Sequence, residues 1–253
     1  MSQNLTPMTE ESLVNSPMNH GEFSCPVCGY RGPFLAHPRR GRPNACCGSC
    51  GARERHRMMA LYFGGAGQAI IAGARVLHIS PEEILAQYFV QSKEYVTADL
   101  TDTSTDLILD VTGMNLQDGV FDMVICSHVL EHVVDDAAAI AEIYRVLSPG
   151  STAVVCVPVI QGWVKTYENS AITDPVDRLA HFGHIDHVRY YGRDIMARLA
   201  APGFEVTEFQ ASPEQCIVHA IHRGSSLYLA YKNQVKMHLS FAFRTSENSD
   251  DDR

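Results

Sequence analysis

Residues 74–83, ARVLHISPEE, decide the fold. Val76, Leu77 and Ile79 make a short apolar run without polar alternation, as in a strand buried on both faces. Ser80-Pro81-Glu82-Glu83 predicts a helix start, with Ser80 as N-cap, Pro81 at N1 and Glu83 completing a capping box. A strand feeding a helix is the opening unit of an α/β sheet. Such a turn is usually rich in glycine when it cradles phosphate, and this one has none.

Working outward, strands are predicted at 75–79, 94–98, near 106–109, 121–126, 152–157, 204–210 and 226–231. Helices are predicted at 81–90, 135–147 and 192–201. In 135–147, Ile140, Ile143, Tyr144 and Leu147 follow the helical apolar period, and Ser148-Pro149-Gly150 ends it. This alternation predicts an α/β fold, a Rossmann-like, mostly parallel sheet with helices on both faces. A polar stretch from 158 to 191 interrupts it.

Upstream, Cys25-x2-Cys28 and Cys47-x2-Cys50 have the spacing of a four-cysteine zinc site. Gly29 and Gly51 follow the two pairs and select Cys47 over Cys46. Four protein thiolates leave no open position, so this Zn2+ is expected to be structural. Cys126, Cys156 and Cys216 lie in apolar segments and read as core residues. The organisation expected is a disordered segment at 1–20, a zinc ribbon at 21–51, a connecting helix and linker at 52–73, the α/β domain at 74–232, and a tail at 233–253 ending in the acidic TSENSDDDR.

The 253 residues carry a net charge of −9. Residues 20–57 run against that balance with seven arginines and two glutamates. The main domain therefore does not attract nucleic acid by its net charge, whereas the N-terminal part is basic. No signal peptide or membrane span is expected, and the localisation expected is cytoplasmic.

Parallel sheets bind ligands beyond the carboxyl ends of their strands. Asp99 closes the second strand, 21 residues after His78, where an acid suits ribose hydroxyls. Asp110 follows the third strand and Ser127-His128 the fourth. Two acids without a phosphate loop suit S-adenosylmethionine, which has a ribose and no phosphate. The turn at Ser80–Glu82 is expected to meet its carboxylate, with Glu82 on its amino group.

DLILDVTGMNLQDGVFDMVICSHVLEHVVDDAAAIAEIYRVLSPGSTAVVCVPV (106–159) resembles the centre of class I S-adenosylmethionine-dependent methyltransferases. The shared marks are an FD-containing strand, LEHV, a helix, and LSPGS in place of L-x-P-G-G. The resemblance spans roughly 74–231. CGARERHRMMALY, VLHISPE and DHVRYYGRD resemble an uncharacterised bacterial subgroup with a fused zinc ribbon. The resemblance implies Asp99 on the ribose, Asp110 and the Val111 backbone at the adenine, and Ser127 and His128 near the methionine end. His78 and Ser80 stand where the wider family has an acid and a glycine.

Glu131 and His132 either shape the transfer site or make a helix-entry hydrogen bond. His181, His184, Asp186, His187 and Arg189 crowd into eleven residues. They read as a general base and acceptor contact (His187 favoured), as a second metal site, or as a polar surface loop. The catalytic candidates are His187, His128 and His132. Trp163 and Tyr167 either pack on an acceptor or cover the core. The function expected is methyl transfer to a small-molecule or sugar-type acceptor. The alternatives are an RNA methyltransferase gripping phosphates with Arg39, Arg40, Arg42, Arg53, Arg55 and Arg57, and a non-catalytic scaffold. Arg53, Arg55 and Arg57 point about 200° apart at alternate helix positions, so the ribbon is expected to be mainly structural and to roof the site.

Overall fold

The computed structural model describes residues 22–38 and 41–233. The expectations for 1–20, for Arg39 and Arg40, and for the tail beyond 233 lie outside these residues.

The chain opens with a two-stranded antiparallel ribbon, β1 (Phe23–Ser24) and β2 (Arg31–Gly32). Two helices follow, α1 (Glu54–Phe63) and α2 (Gln68–Ile71). The sheet strands are β3 (Arg75–Ile79), β4 (Glu94–Asp99), β5 (Leu107–Ile108), β6 (Phe121–Ser127), β7 (Leu147–Cys156), β10 (Glu205–Phe209) and β11 (Leu227–Tyr231). Their spatial order is β10-β11-β7-β6-β3-β4-β5. β3, β4, β5, β6 and β7 run parallel, while β11 is antiparallel to both β7 and β10. Helix α3 (Asp136–Val146) links β6 to β7, and α5 (Ile195–Ala200) precedes β10.

Both faces of the central strands are buried, which is why they read as unbroken apolar runs. Leu77, Ile79, Val124 and Cys126 face one core with Ile140 and Ile143 of α3. Val76, Met123, Ile125 and Val154 face the other, which Met58, Met59, Tyr62 and Phe63 of α1 cover. The α1 segment is thus a full layer of the α/β core as well as a connection.

Two local expectations are corrected. No α-helix starts at Ser80: a 3-10 helix runs Glu83–Phe89, without a side-chain cap. Ser80 has φ +50° and its N–H donates to the Ala98 carbonyl at 2.7 Å, so it is in a left-handed turn where an N-cap would be extended. β7 starts at Leu147, directly after α3, because Leu147 pairs with Phe121 and the register then shifts before Thr152 pairs with Met123.

The polar stretch 158–191 folds into a small lobe. It contains β8 (Tyr167–Glu168) paired with β9 (Arg189–Tyr190), and α4 (Pro175–Phe182), capped by Asp174. One further helix, α6 (Pro213–Val218), lies between β10 and β11.

One buried side chain makes the largest share of the hydrogen bonds that fasten the ribbon to this body. Arg57 of α1 is fully buried. Its guanidinium donates to the carbonyls of Ala45, Ala52 and Asn44 in the ribbon and, at 2.7 Å each, to those of His219 and Ala220 after α6. It also lies 4.7 Å over the Phe34 ring.

Candidate functional site

The four ribbon cysteines come together as the spacing predicts. Gly29 and Gly51 take φ of +75° and +71°, and each N–H bonds back to the first cysteine of its pair. Cys25 and Cys50 Sγ lie 3.7 Å apart, as do those of Cys28 and Cys47. Four sulfurs about 2.3 Å from one zinc lie about 3.8 Å from each other in a tetrahedron. The donor set therefore fits Zn2+, and Cys46 is outside it.

The remaining candidates gather at the carboxyl edge of the sheet. Asp99 ends β4, and its Oδ1 accepts the N–H groups of Thr101 and Asp102 at 2.9 and 3.0 Å. Its slight burial opposes ionisation. These N–H groups and the Ser80 hydroxyl outweigh that and hold the carboxyl below its usual range. Asp110 lies two residues past β5, and its Oδ1 accepts from the Thr112 N–H and hydroxyl, which lowers its pKa as well. Val111 beside it is buried. Both acids are thus fixed, ionised carboxylates on adjacent strand ends. Ser127 ends β6, with its Oγ buried and lacking a partner among the described residues.

Two of the expected cofactor contacts are corrected. His78 has no exposed surface; its Nδ1 pairs with Tyr95 Oη at 2.8 Å, and its ring packs edge-on to Phe89. Burial pushes its pKa down to about 4. It faces the helix layer because alternate residues of β3 face opposite sides of the sheet. Glu82 turns to α1, accepting from Arg55 at 2.5 Å and pairing with His56 at 2.8 Å. Burial opposes its ionisation, but these two partners hold its pKa at about 2. Both partners sit on Oε1, while Oε2 is buried without a hydrogen-bond partner among the described residues.

His128 follows β6 with φ +54°, a strained conformation for a non-glycine residue. The strain aims the ring at the Glu131 carboxylate, 2.8 Å from Nδ1, with Cys156 Sγ 4.0 Å from Nε2. Desolvation opposes charge on the ring, but Cys156 and Glu131 prevail and raise its pKa to about 10. His128 is therefore held as a cation, which unfits it to accept a proton near neutrality.

The LEHV segment is gripped by the lobe. The buried Arg189 donates to the carbonyls of Leu130, Val133 and Val134, and the Val188 N–H donates to that of Glu131. Arg189 also binds Glu168 at 2.9 Å. This grip brings His132 and His187 together, with rings 4.7 Å apart and perpendicular. His184 joins them; His181 instead meets Tyr167 Oη at 2.7 Å. Trp163 packs edge-on to Tyr167 and Tyr190 at the surface.

A cavity of about 930 Å³ opens between this cluster and the ribbon. His128, Glu131, His132 and His187 form one wall. Arg42, Arg53 and Arg55 come from the ribbon side, and Arg223 from the loop before β11. Arg42 is paired with Glu54 and Arg55 with Glu82. The expectation that Arg57 grips phosphates is corrected by its complete burial. Sequence reasoning missed Arg189 as the clamp on LEHV and Arg223 as part of the wall. Only the density of charge in DHVRYY hinted at the first.

Residues 64–155 match the family described as Methyltransferase domain (Methyltransf_11). No curated protein matches the chain. Among solved structures, 1,6-didemethyltoxoflavin-N1-methyltransferase of Burkholderia thailandensis is 16% identical, with 72% of this chain and 79% of that chain covered and a TM-score of 0.50. The [4+2]-cyclase SpnF is 14% identical, with 73% of this chain and 85% of that chain covered and a TM-score of 0.52. At these identities the two share the fold with this chain, and their different names illustrate that a fold does not by itself fix a reaction. The family match over residues 64–155 and the sheet order together make this part of the chain similar to a methyltransferase domain on a Rossmann-like, mostly parallel sheet, preceded by four cysteines that fit a zinc ribbon.

Proposed function

We propose that the protein transfers the S-adenosylmethionine methyl group to a small-molecule or sugar-type acceptor held in the cavity between the ribbon and the LEHV segment. In this reading Asp99 takes the ribose hydroxyls, Asp110 and the Val111 backbone meet the adenine, and Ser127 and His128 lie by the methionine end. Four cysteines hold a structural zinc. The observation that carries the reading is the cavity itself: it is bounded by residues that directly follow the β6 and β7 strand ends, and its volume suits a small acceptor. On its wall Arg53 and Arg223 make no ion pair among the described residues, which favours an acceptor bearing negative charge. The RNA alternative is weakened by the arginines already engaged inside the molecule.

Titration calorimetry tests the cofactor half. Wild type is expected to bind S-adenosylmethionine, and Asp99→Ala to bind at least tenfold more weakly, the ~1.4 kcal/mol of a charge-assisted hydrogen bond. No binding by wild type overturns the reading. A labelled-methyl assay tests the acceptor half, with anionic small molecules and saccharides set against structured RNA. Micromolar RNA binding at physiological salt, with affinity falling steeply as salt rises, replaces the small-molecule reading with the RNA one.

A further inference from the structure

We propose that Glu131, His132 and His187 bind one first-row divalent transition-metal cation on the wall of the cavity, separate from the cysteine site. The ligand atoms these three residues offer lie within 4.8 Å of one another. Atoms bonded to one ion at about 2.0–2.2 Å lie up to about 4.4 Å apart when opposite each other, so the set closes on an ion with small side-chain movements.

Three independent details support a ligand role. Glu131 is completely buried, yet its Oε2 has no hydrogen-bond partner among the described residues. A carboxylate oxygen in that position is costly unless something positive meets it. His128 already occupies Oε1, so Oε2 is the atom left to meet a cation. Next, the histidines are oriented as ligands are. His187 Nδ1 lies 3.0 Å from the Phe182 carbonyl, and His132 Nδ1 lies 3.2 Å from an Asp186 carboxylate oxygen. A carbonyl or carboxylate on one ring nitrogen fixes the tautomer and presents the other nitrogen, here Nε2, to a metal. Finally, the backbone beneath is locked by Arg189 and Val188. The cost of assembling the ligands is therefore met when the chain folds.

Two imidazoles and one carboxylate suit zinc, manganese or cobalt ions and leave coordination positions for a further ligand. All three residues border the cavity, so that ligand comes from the cavity. This extends the function proposed above, and rests on it, by naming an acceptor with an oxygen donor. Coordination lowers the pKa of a hydroxyl. Its proton passes to solvent, the oxygen bonds the methyl carbon, and the carbon–sulfur bond breaks with its electron pair left on sulfur. The nearby set of His184, Asp186 and His187 is the weaker alternative, because Asp186 is already shared between His132 and His184.

The test uses the full chain with zinc loaded at the cysteines. Titration with Mn2+ or Co2+ is expected to show one further equivalent bound. The Co2+ form is expected to show weak visible bands without the strong thiolate charge-transfer absorption of a cysteine site. Glu131→Gln preserves shape and is expected to weaken this binding ~100-fold or more. Asp186→Asn, which reaches the ligand set through His132, is expected to weaken it about 10- to 100-fold. His187→Gln provides a second ligand variant if Glu131→Gln fails to fold. Absence of a second equivalent at millimolar metal, or wild-type affinity in a folded ligand variant, overturns the proposal. S-adenosylmethionine titration of the same samples reads the methyltransferase function separately: lost cofactor binding with an intact second metal equivalent sinks that reading alone.

Discussion

Ser80 and His128 occupy equivalent places, one residue past the adjacent central strands β3 and β6, and both are left-handed without being glycine. Each is stabilised by a carboxylate: Ser80 by Asp99 and His128 by Glu131. A side-chain partner thus does at these turns what glycine's freedom does elsewhere. His78 shows the opposite economy, being a titratable group used as a core residue. Its pKa of about 4 in the folded state is below the usual 6.5, so the unfolded chain binds more protons between those values. Stability contributed by neutral His78 is complete above about pH 6.5 and is lost as pH falls toward 4, by about 3 kcal/mol in all. Glu82, held at about 2, adds its own loss only below about pH 4.5. Urea unfolding at several pH values between 5 and 6.5 leaves Glu82 out of the comparison, and His187, whose pKa burial also lowers, is common to wild type and the His78 variant. His78→Gln is expected to flatten the stability profile there by up to ~1.4 kcal/mol per pH unit. An unchanged slope contradicts this account of the residue.

At the scale of elements, two buried arginines do the joining. Arg189 ties the lobe to LEHV, and Arg57 ties the ribbon to α1 and to the chain after α6. Both use the five-donor guanidinium fork on backbone carbonyls, which an ammonium cannot match. Truncation leaves buried carbonyls unpaired, at about 1–3 kcal/mol for each one that water cannot reach. Arg57→Met is therefore expected to cost about 3 kcal/mol or more, and Arg57→Lys is expected to rescue little of it. Limited proteolysis checks this, with early cleavage between residues 25 and 53 as the expected sign that the ribbon has come loose. If Arg57→Met retains wild-type unfolding and protease resistance, the ribbon is held by its other contacts, such as His219 to Ser24 and Tyr88 to Pro26.

For the molecule as a whole, the ribbon carries a four-cysteine set that fits Zn2+ and also forms a wall of the cavity. Removing its metal is expected to disturb the site as well as the ribbon. Cys25→Ser/Cys47→Ser is expected to lose one zinc equivalent by metal analysis, to lower the melting temperature, and to weaken acceptor binding more than S-adenosylmethionine binding. Loss of zinc with an undisturbed acceptor KM would show that the ribbon does not help shape the pocket. No described helix is long and apolar enough to cross a membrane, so nothing in those elements competes with this arrangement.

Much of this was legible in the sequence, because it depends on local spacing. The paired Cys-x2-Cys units, the runs of β3 and β6, and Asp99 and Asp110 at strand ends are all set by residues a few positions apart. The apolar runs of strands buried on both faces have a strong signal, since every side chain in them must be apolar. What the sequence could not decide was which way a side chain turns once distant segments meet. His78 and Glu82 sit in the opening motif, yet Tyr95 and the α1 residues Arg55 and His56 claim them. Arg57 lies in a run of exposed-looking arginines, yet it is buried because five carbonyls from segments up to 163 positions away converge on it. Glu131 and His187 lie 56 positions apart, and the grip of Arg189 and Val188 on LEHV makes them neighbours. Such convergence comes from packing two faces of a sheet and closing a lobe over one edge. No periodicity along the chain records it.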